Sequence, residues 1–287
     1  MKKTVLSFTL MSALLLSACQ TNDPAQSDEK TSESALTQSS EAVSESASTE
    51  SSESQADSSE AKKDETQPQE YTYRVNPDTF VIEPLNDGDD TKVALLTFDD
   101  APDEHAVEIA TKMKEINAPA VFFINGMYIE SDEGKEKLKE IYDMGFEIGN
   151  HTQTHADLSS ISPEEQREEI LKTNELIYET IGVKPRFFRA PFGINTDTSA
   201  EVIAEEDMVF MNWTYGYDWE PEYQDAAALT DIMLHTEYLG DGANLLMHDR
   251  AWTNEAAVDI AEGLKDQGYT LIDPALIESP ESEGSNE

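Results

Sequence analysis

Two residue types are scarce in this sequence, and each scarcity narrows what the protein can do. Its 287 residues include one cysteine, Cys19, so the chain can form no internal disulfide. It has 19 basic residues against 60 acidic ones, a formal net charge of -41. So negative a chain repels polyanions, which excludes binding to nucleic acid through a basic surface. Long apolar runs are also lacking, since the stretch from Val5 to Leu16 is shorter than a typical transmembrane helix.

The first 19 residues have the pattern of a secretion signal. Lys2 and Lys3 precede the apolar stretch, and small residues lead into Cys19. The sequence LSAC resembles the lipobox of bacterial lipoproteins, which implies removal of residues 1–18 and a lipid on Cys19. A chance cysteine at this position is the alternative. We therefore expect an extracytoplasmic protein anchored to the cell membrane as a bacterial lipoprotein, because two or more acyl chains suffice for stable anchoring.

Residues 19–70 consist mainly of Ser, Glu, Ala, Thr, Gln and Asp and include no aromatic residue. Such a segment buries too little apolar surface to offset its ordering entropy, which predicts a disordered acidic tether. Residues 279–287 are similar and are predicted to form an acidic tail. A folded domain is expected between them, over residues 71–278.

Within residues 71–278, short apolar runs alternate with helical patterns, which predicts a parallel α/β sheet. A segment from Tyr71 to about Leu85 precedes the first run and is expected to cap the domain. The third helical pattern has a start signal at Ser162 to Glu165 and a stop signal at Gly182. The predicted strands are Val93–Phe98, Ala120–Ile124, Phe146–Gly149, Arg186–Arg189, Val209–Trp213, Asn244–Met247 and Thr270–Asp273, and the clearest helical patterns cover 103–116, 133–144, 162–182 and 254–268.

Unusual polar residues follow five of these strands. Ligands and catalysis in parallel α/β folds lie at the carboxyl ends of the strands, so a functional site is expected where these residues meet. They are Asp99 and Asp100, His151 and His155, Arg189, Asp218 with Trp219, and His248.

His151 and His155 are candidate metal ligands. Their i, i+4 spacing would place both imidazoles on one face of a helical turn, although such pairs also arise by chance. A third, oxygen ligand from Asp100 or Asp99 would leave an open position for water, the pattern of a catalytic site.

Asp99 and Asp100 are adjacent carboxylates that could divide two tasks. One would bind the cation while the other takes a proton from the attacking water as general base. The alternative is structural: the pair could cap a helix, with Pro102 at an early helical position.

Arg189 and His248 each have a structural alternative. Arg189 is either a surface charge or the partner of a buried carboxylate, which it would hold ionised. His248 is either structural or, beside a carboxylate such as Asp218, a protonated imidazole that can act as a general acid.

Five motifs in order, TFDDAP, NHTQTH, RAPFG, YDW and LMH, resemble those of the polysaccharide deacetylase family, carbohydrate esterase family four. The resemblance covers about residues 92–277. It implies a distorted (β/α)7-type barrel of parallel strands. It also implies a divalent metal cofactor, commonly zinc with cobalt, manganese or nickel as alternatives, and removal of N-acetyl or O-acetyl groups from polymers such as peptidoglycan, chitin and xylan.

The resemblance implies a role for each matching residue. The metal ligands would be Asp100, His151 and His155, with Asp99 as the general base, oriented by Arg189. His248 would be the general acid, tuned by Asp218. The backbone N–H of Phe192 would help to hold the oxyanion, and Trp219 and Leu246 would line the acetyl pocket.

Three positions depart from the family pattern. Ala101 stands where glycine is usual, so the turn after Asp100 must avoid positive φ or tolerate a methyl group. Phe192 replaces a common tyrosine, and Tyr215 replaces a common aspartate, which puts the local substrate contacts in doubt. None of the three removes a predicted ligand or acid–base group, so an active enzyme is expected.

The sequence thus predicts a metal-dependent N-deacetylase that acts on N-acetylglucosamine residues of a cell-wall or surface polysaccharide, above all peptidoglycan. We expect a monomer that binds the N-acetylated polysaccharide, with the membrane as a second partner through Cys19 and no protein partner. The alternatives are an O-acetyl esterase that acts on xylan or another glycan, and a noncatalytic glycan-binding lipoprotein.

Overall fold

The computed structural model of the protein describes residues 71–280. The predicted signal peptide, the lipidation of Cys19, the tether of residues 19–70 and residues 281–287 of the predicted tail lie outside the described residues. No helix within residues 71–280 has the length and apolar character that crossing a membrane requires.

Strands and helices alternate along the described residues, as the sequence predicts. The strands are β1 Tyr73–Val75, β2 Ile82–Pro84, β3 Val93–Ala101, β4 Ala120–Ile124, β5 Glu147–Asn150, β6 Phe187–Phe188, β7 Val209–Phe210, β8 Tyr215–Gly216, β9 Ala243–His248 and β10 Thr270–Leu271. The helices are α1 Ala106–Glu115, α2 Asp132–Asp143, α3 Pro163–Ile181, α4 Asp197–Glu205, α5 Ala226–His235 and α6 Ala251–Asp266. The predicted limits of α3 are confirmed by a capping box between Ser162 and Glu165 and by a left-handed Gly182.

The main sheet is parallel throughout and has the order β7-β6-β5-β4-β3-β9-β8, with β10 paired to β3. It curls into an incomplete barrel, and in the described part of the chain its end strands β7 and β8 are not hydrogen-bonded to each other. This confirms the predicted α/β class with a distorted barrel of parallel strands. β1 and β2 form a separate antiparallel hairpin.

Strand β3 lies at the centre of the sheet, and every one of its residues is buried. Leu96 and Phe98 point outward into the cluster that includes the helices, whereas Val93 and Leu95 join an interior cluster without helical residues. Because successive side chains alternate between the two faces, Thr97 and Asp99 follow Leu95 on the interior side. The interior of the barrel therefore changes from apolar to polar toward the carboxyl ends of the strands.

The hairpin of β1 and β2 covers the opposite, apolar end of the interior. Tyr73 and Ile82 belong to the same cluster as Val93, and the Ile82 N–H donates to the carbonyl of Gly242 at 2.8 Å. This contact places the segment from Tyr71 to Leu85 as a cap, as predicted.

Side chains rather than strand pairing hold the chain where the barrel is open. Arg189 donates from Nε to the carbonyl of Met211 (3.3 Å) and from Nη2 to that of Asn212 (2.8 Å). Asn244 on β9 donates from Nδ2 to the same Asn212 carbonyl at 3.0 Å. These bonds take carbonyls that a longer β7 would use in pairing, so the predicted strand Val209–Trp213 ends at Phe210.

Candidate active site

Both carboxylates after Phe98 face the cavity at the carboxyl end of the sheet because β3 carries a bulge. Phe98 pairs with Phe122 and Ala101 with Ile124, so β3 takes three residue steps where β4 takes two. Asp100 absorbs the extra residue with φ of 61°. A regular strand would have turned Asp99 and Asp100 to opposite faces.

Asp100, His151 and His155 form the described cluster of side chains that could hold a metal ion. Their ligand atoms lie within 4.8 Å of one another. Asp100 Oδ1 is 3.6 Å from His155 Nε2 and 3.9 Å from His151 Nε2. Two imidazole nitrogens and one carboxylate oxygen are a donor set that Zn²⁺ and similar divalent ions accept.

The helical turn predicted for the two histidines is wrong. Residues 151–157 follow β5 as an irregular loop, in which Thr152 and His155 have φ of 67° and 58°. The loop instead runs alongside the chain after β4, because Gly126 N–H donates to the Thr152 carbonyl (3.0 Å) and the buried Asn125 side chain donates to the His151 carbonyl (2.6 Å). The i, i+4 spacing therefore brings the imidazoles together through loop geometry, with ring centroids 4.9 Å apart.

The protonation states of this cluster suit metal ligation. His151 Nδ1 donates to the Arg189 carbonyl at 2.8 Å, which leaves Nε2 with a free lone pair toward Asp100. Burial and the neighbouring His151 lower the pKa of His155, which favours its neutral form. Burial alone would raise the pKa of Asp100, but the surrounding histidines and Arg250 lower it, so the carboxylate stays ionised.

Asp99 is held by a buried arginine. Arg189, which is fully buried, donates from Nη1 to Asp99 Oδ1 at 2.7 Å and to Thr97 Oγ1 at 2.8 Å. The other oxygen, Oδ2, lies 3.5 Å from His151 Nε2, beside the candidate ligands. Burial lowers the pKa of Arg189, but a guanidinium remains charged in a protein, so Asp99 has a permanent counter-ion.

His248 lies opposite Asp99 on the neighbouring strand β9 and bonds to Asp218. Its Nδ1 is 2.7 Å from Asp218 Oδ1, and its backbone N–H donates to Asp218 Oδ2. Burial lowers the pKa of His248, but the attraction of Asp218, together with Asp99 and Asp100, raises it overall. The His248 imidazole therefore stays protonated to a higher pH than an ordinary histidine. Since Nδ1 bonds to Asp218, the N–H of Nε2 is available to donate a proton.

These groups line one cavity of about 560 Å³ with largely aromatic and apolar walls. Phe192, Trp219 and Leu246, the predicted substrate-binding residues, all contribute to its lining. Trp219 packs edge-to-face on His248, with centroids 5.7 Å apart. Gly216 makes room for this indole, since a methyl group there would lie 2.9 Å from its ring and 2.4 Å from the Leu246 carbonyl.

Phe192 has a backbone suited to presenting its N–H. It adopts φ of 59° and ψ of 8°, a region that non-glycine residues rarely occupy. Its N–H makes no backbone hydrogen bond within residues 71–280, and its ring lies 4.8 Å from that of His155. Asp100, Thr152 and His155 share this left-handed conformation, and such strain often clusters at functional sites.

Two departures from the family pattern have structural explanations. Ala101 is fully buried, and the positive φ falls on Asp100 instead, so no glycine is needed. The Tyr215 side chain turns away from the cavity and donates to the Met233 carbonyl in α5 at 2.9 Å. Among the described residues, Tyr215 is therefore not one of those that line the cavity.

Sequence reasoning missed Arg250 and Asp249. Arg250 donates from Nη2 to Asp100 Oδ2 at 2.7 Å and lines the cavity. Asp249 Oδ1 accepts a hydrogen bond from the N–H of His105, the N-cap residue of α1. Since His105 is the N-cap, neither Asp99 nor Asp100 caps this helix, and the helix-cap alternative for them is wrong. Neither residue belongs to one of the five motifs, and a single charged residue at this position has no pattern that would have revealed it.

Comparison with known sequences agrees with the site. The family model described as polysaccharide deacetylase matches residues 86–211. A chitooligosaccharide deacetylase of Rhizobium leguminosarum is 30% identical over 201 residues, which are 68% of this chain and 86% of that protein. A peptidoglycan-N-acetylglucosamine deacetylase of Bacillus cereus is 32% identical over 53% of this chain and 54% of its own length. The aligned part spans between 29% and 58% of the length of three of the curated relatives.

Solved structures agree in fold. A T48 deacetylase with substrate matches with a TM-score of 0.59 and 30% identity over 66% of this chain and 94% of that one. The peptidoglycan deacetylase PdaC of Bacillus subtilis matches at 0.57 and 29% over 64% and 88%. A pseudoenzyme of carbohydrate esterase family four from Bacillus anthracis matches at 0.57 and 29% over 63% of each chain. With this agreement in sequence and fold, the chain belongs to the polysaccharide deacetylase family.

Proposed function

We propose that the protein is a metal-dependent deacetylase that removes N-acetyl groups from N-acetylglucosamine residues of a cell-wall polysaccharide, most simply peptidoglycan. The observation that carries the proposal is that one aromatic-walled cavity is lined by a candidate metal cluster, by Asp99 and by the Asp218–His248 pair, with Arg189 paired to Asp99 from behind the wall. A noncatalytic glycan-binding protein would not need these two pairs.

The chain's own groups account for both proton transfers of amide hydrolysis. Asp99 Oδ2, the oxygen that Arg189 does not bind, accepts a proton from the attacking water as general base. The N–H of Phe192 stabilises the oxyanion of the tetrahedral intermediate. His248 then donates the proton on Nε2 to the amide nitrogen as the C–N bond breaks, which releases acetate and a free amine on the sugar.

Asp100, His151 and His155 fit the divalent ion that the family requires, and we propose zinc. The fit rests on the donor set and on the His151 tautomer, which leaves Nε2 unprotonated. A bound ion would polarise the acetyl carbonyl and lower the pKa of the attacking water. Trp219 and Leu246 are proposed to surround the acetyl methyl group.

Relatives support the choice of substrate. Those described as acting on peptidoglycan N-acetylglucosamine include proteins of Bacillus cereus and Listeria monocytogenes. A lipid on Cys19 and the segment of residues 19–70 would hold the catalytic domain at the membrane surface, near such a polymer. This location is part of the proposal.

Acetate release tests the proposal. Purified full-length protein should release acetate and generate free amines from peptidoglycan or chitooligosaccharides, lose this activity with a chelator and regain it with Zn²⁺. A metal-loaded protein that releases no acetate from these glycans or from poly-N-acetylglucosamine would contradict it. Glycan binding that survives chelation, without turnover, would instead indicate the noncatalytic alternative.

An O-acetyl esterase is the second candidate. It is favoured by the similarity to a bifunctional xylanase/deacetylase of Pseudobutyrivibrio xylanivorans, 30% identical over 63% of this chain and 29% of that protein. Acetylated xylan and chitooligosaccharides assayed with one preparation separate the two, because an esterase releases acetate from xylan without producing amines.

A further inference from the structure

Each of the two adjacent carboxylates has its own arginine. Arg189 Nη1 binds Asp99 Oδ1, and Arg250 Nη2 binds Asp100 Oδ2, both at 2.7 Å. The second pair is the less buried one, since the Arg250 side chain is 37% exposed and the Asp100 side chain 12%. Among the described residues that line the cavity, Arg250 is the one arginine, and none is a lysine.

Arg250 donates a hydrogen bond to Asp100 Oδ2, whereas the histidines lie near the other oxygen, Oδ1. Asp100 Oδ1 faces His151 and His155, whereas Oδ2 accepts from the guanidinium. Arg250 is itself fixed, because Nη1 donates to the Asp249 carbonyl at 2.8 Å and the residue begins α6 as its N-cap. Because Oδ2 is engaged in a charge-assisted bond with a cationic group, a metal ion is disfavoured there and binds more readily through Oδ1.

The number of oxygens that Asp100 offers bears on which ion binds. Zn²⁺ favours few ligands, mainly nitrogen or sulfur, with one oxygen from each carboxylate in a tetrahedral site. Larger ions that prefer carboxylate and water, such as Mn²⁺, accept more oxygens. A carboxylate freed to bind through both oxygens would therefore favour Mn²⁺ relative to Zn²⁺.

We propose that Arg250 is a positioning residue that restricts Asp100 to ligation through one oxygen and so biases the site toward Zn²⁺ over Mn²⁺. The inference rests on the proposed metal site and adds a determinant of its selectivity. It assigns Arg250 no contact with the reacting atoms.

Calorimetric titration of the metal-free, full-length protein with Zn²⁺ and with Mn²⁺ tests this. In Arg250→Met, which has neither the charge nor the hydrogen bonds, the ratio of the Mn²⁺ to the Zn²⁺ dissociation constant should fall about tenfold, the lower end of what losing the hydrogen-bond partner of a metal ligand does. Arg250→Lys, which keeps a cation beside Oδ2, should restore most of the ratio.

Arg167→Gln is the matched control, because it removes an arginine that pairs with Glu205 on the surface. Its ratio should equal that of the wild type. A ratio within twofold of the wild type in Arg250→Met would overturn the inference while leaving the metal site intact. A wild-type protein that binds neither ion would overturn the metal site as well. Comparing two ions in one variant cancels a general loss of folded protein. If Arg250→Met is poorly folded, Arg250→Gln replaces it as a variant that removes the charge but keeps a polar side chain.

Discussion

Asp99 and Asp100 are neighbours in sequence whose side chains have different partners. Asp100 faces both histidines through Oδ1, whereas Asp99 is fixed by Arg189 and faces the cluster through Oδ2. Asp100→Asn should therefore weaken Zn²⁺ binding about 10- to 100-fold, while Asp99→Asn should retain the ion and lower kcat by roughly 10²- to 10⁴-fold. Calorimetry and acetate release measure the two effects, and each variant is the control for the other. Equal loss of metal in both would contradict the proposed division of tasks.

The Asp218–His248 pair sets a pH dependence. Because Asp218 helps to raise the pKa of His248 in the folded protein, the acid stays protonated above its ordinary pKa, and activity should fall only as pH rises through that higher value. Asp218→Asn should move the basic limb of the kcat/KM profile to lower pH, because the pKa of His248 loses the attraction that raises it most. Thr253 and the His248 N–H can still bond to the new amide oxygen, which limits structural damage.

A matched control for this prediction exists on the surface. Asp231 lies 3.1 Å from His235 in an exposed pair, so Asp231→Asn removes a carboxylate from a histidine far from the chemistry. The pH profile of Asp231→Asn should coincide with that of the wild type. An unchanged basic limb in Asp218→Asn would exclude His248 as the acid that this limb reports.

The composition of the site could be predicted from sequence, but part of its geometry could not. Residue types and order were enough to name the histidines, Asp99, Asp100, Asp218 and His248, because each comes after a predicted strand, although β3 and β9 extend to include Asp99, Asp100 and His248. Arg250 was missed because one arginine at a helix start has no pattern, and its role appears only when β9 and β3 lie side by side. The i, i+4 spacing of His151 and His155 predicts a helical turn, because spacing alone does not reveal the hydrogen bonds from Gly126 and Asn125 that hold this segment as a loop.

Some strands could be predicted from sequence and others could not. β4 matches its predicted limits, Ala120–Ile124, since five buried apolar residues form an unmistakable run. β8, Tyr215–Gly216, was not predicted because, unlike the equally short β6, β7 and β10, it does not lie in an apolar run of the sequence. Its identity as a strand comes from its neighbour β9, with which it pairs in register.

The pairing of β8 with β9 also supports the wall of the cavity. A methyl group on Gly216 would meet the Leu246 carbonyl and the Trp219 ring, so Gly216→Ala must push the two strands apart or displace the indole. The free energy of unfolding should fall by about 1–3 kcal/mol, as for overpacking of a core. Urea unfolding followed by tryptophan fluorescence measures both effects. Gly240→Ala is the control because a methyl group there meets nothing within 4 Å, and equal behaviour of the two variants would contradict the prediction.

The net charge of the full chain predicts a dependence on salt. A protein with a charge of -41 repels an anionic wall polymer at low ionic strength. Raising salt from 0.01 M to 0.15 M shortens the Debye length from about 30 Å to about 8 Å, so kcat/KM on such a polymer should rise roughly tenfold. Neutral chitooligosaccharides should show little change, and they are the control. A rate on the anionic polymer that falls as salt is added would contradict the prediction.

Because of the bulge in β3, the number of residues between Phe98 and Ala101 is as important as their identity. Substitution at Asp99 or Asp100 changes one group and keeps the path of the chain. Deletion of one residue between Phe98 and Ala101 would restore the regular alternation of the strand and direct one of its last side chains toward the helices. A chain shortened in this way could keep a ligand or a base in the cavity but not both, so a change in the length of this stretch would remove one of the two tasks whichever residue is deleted.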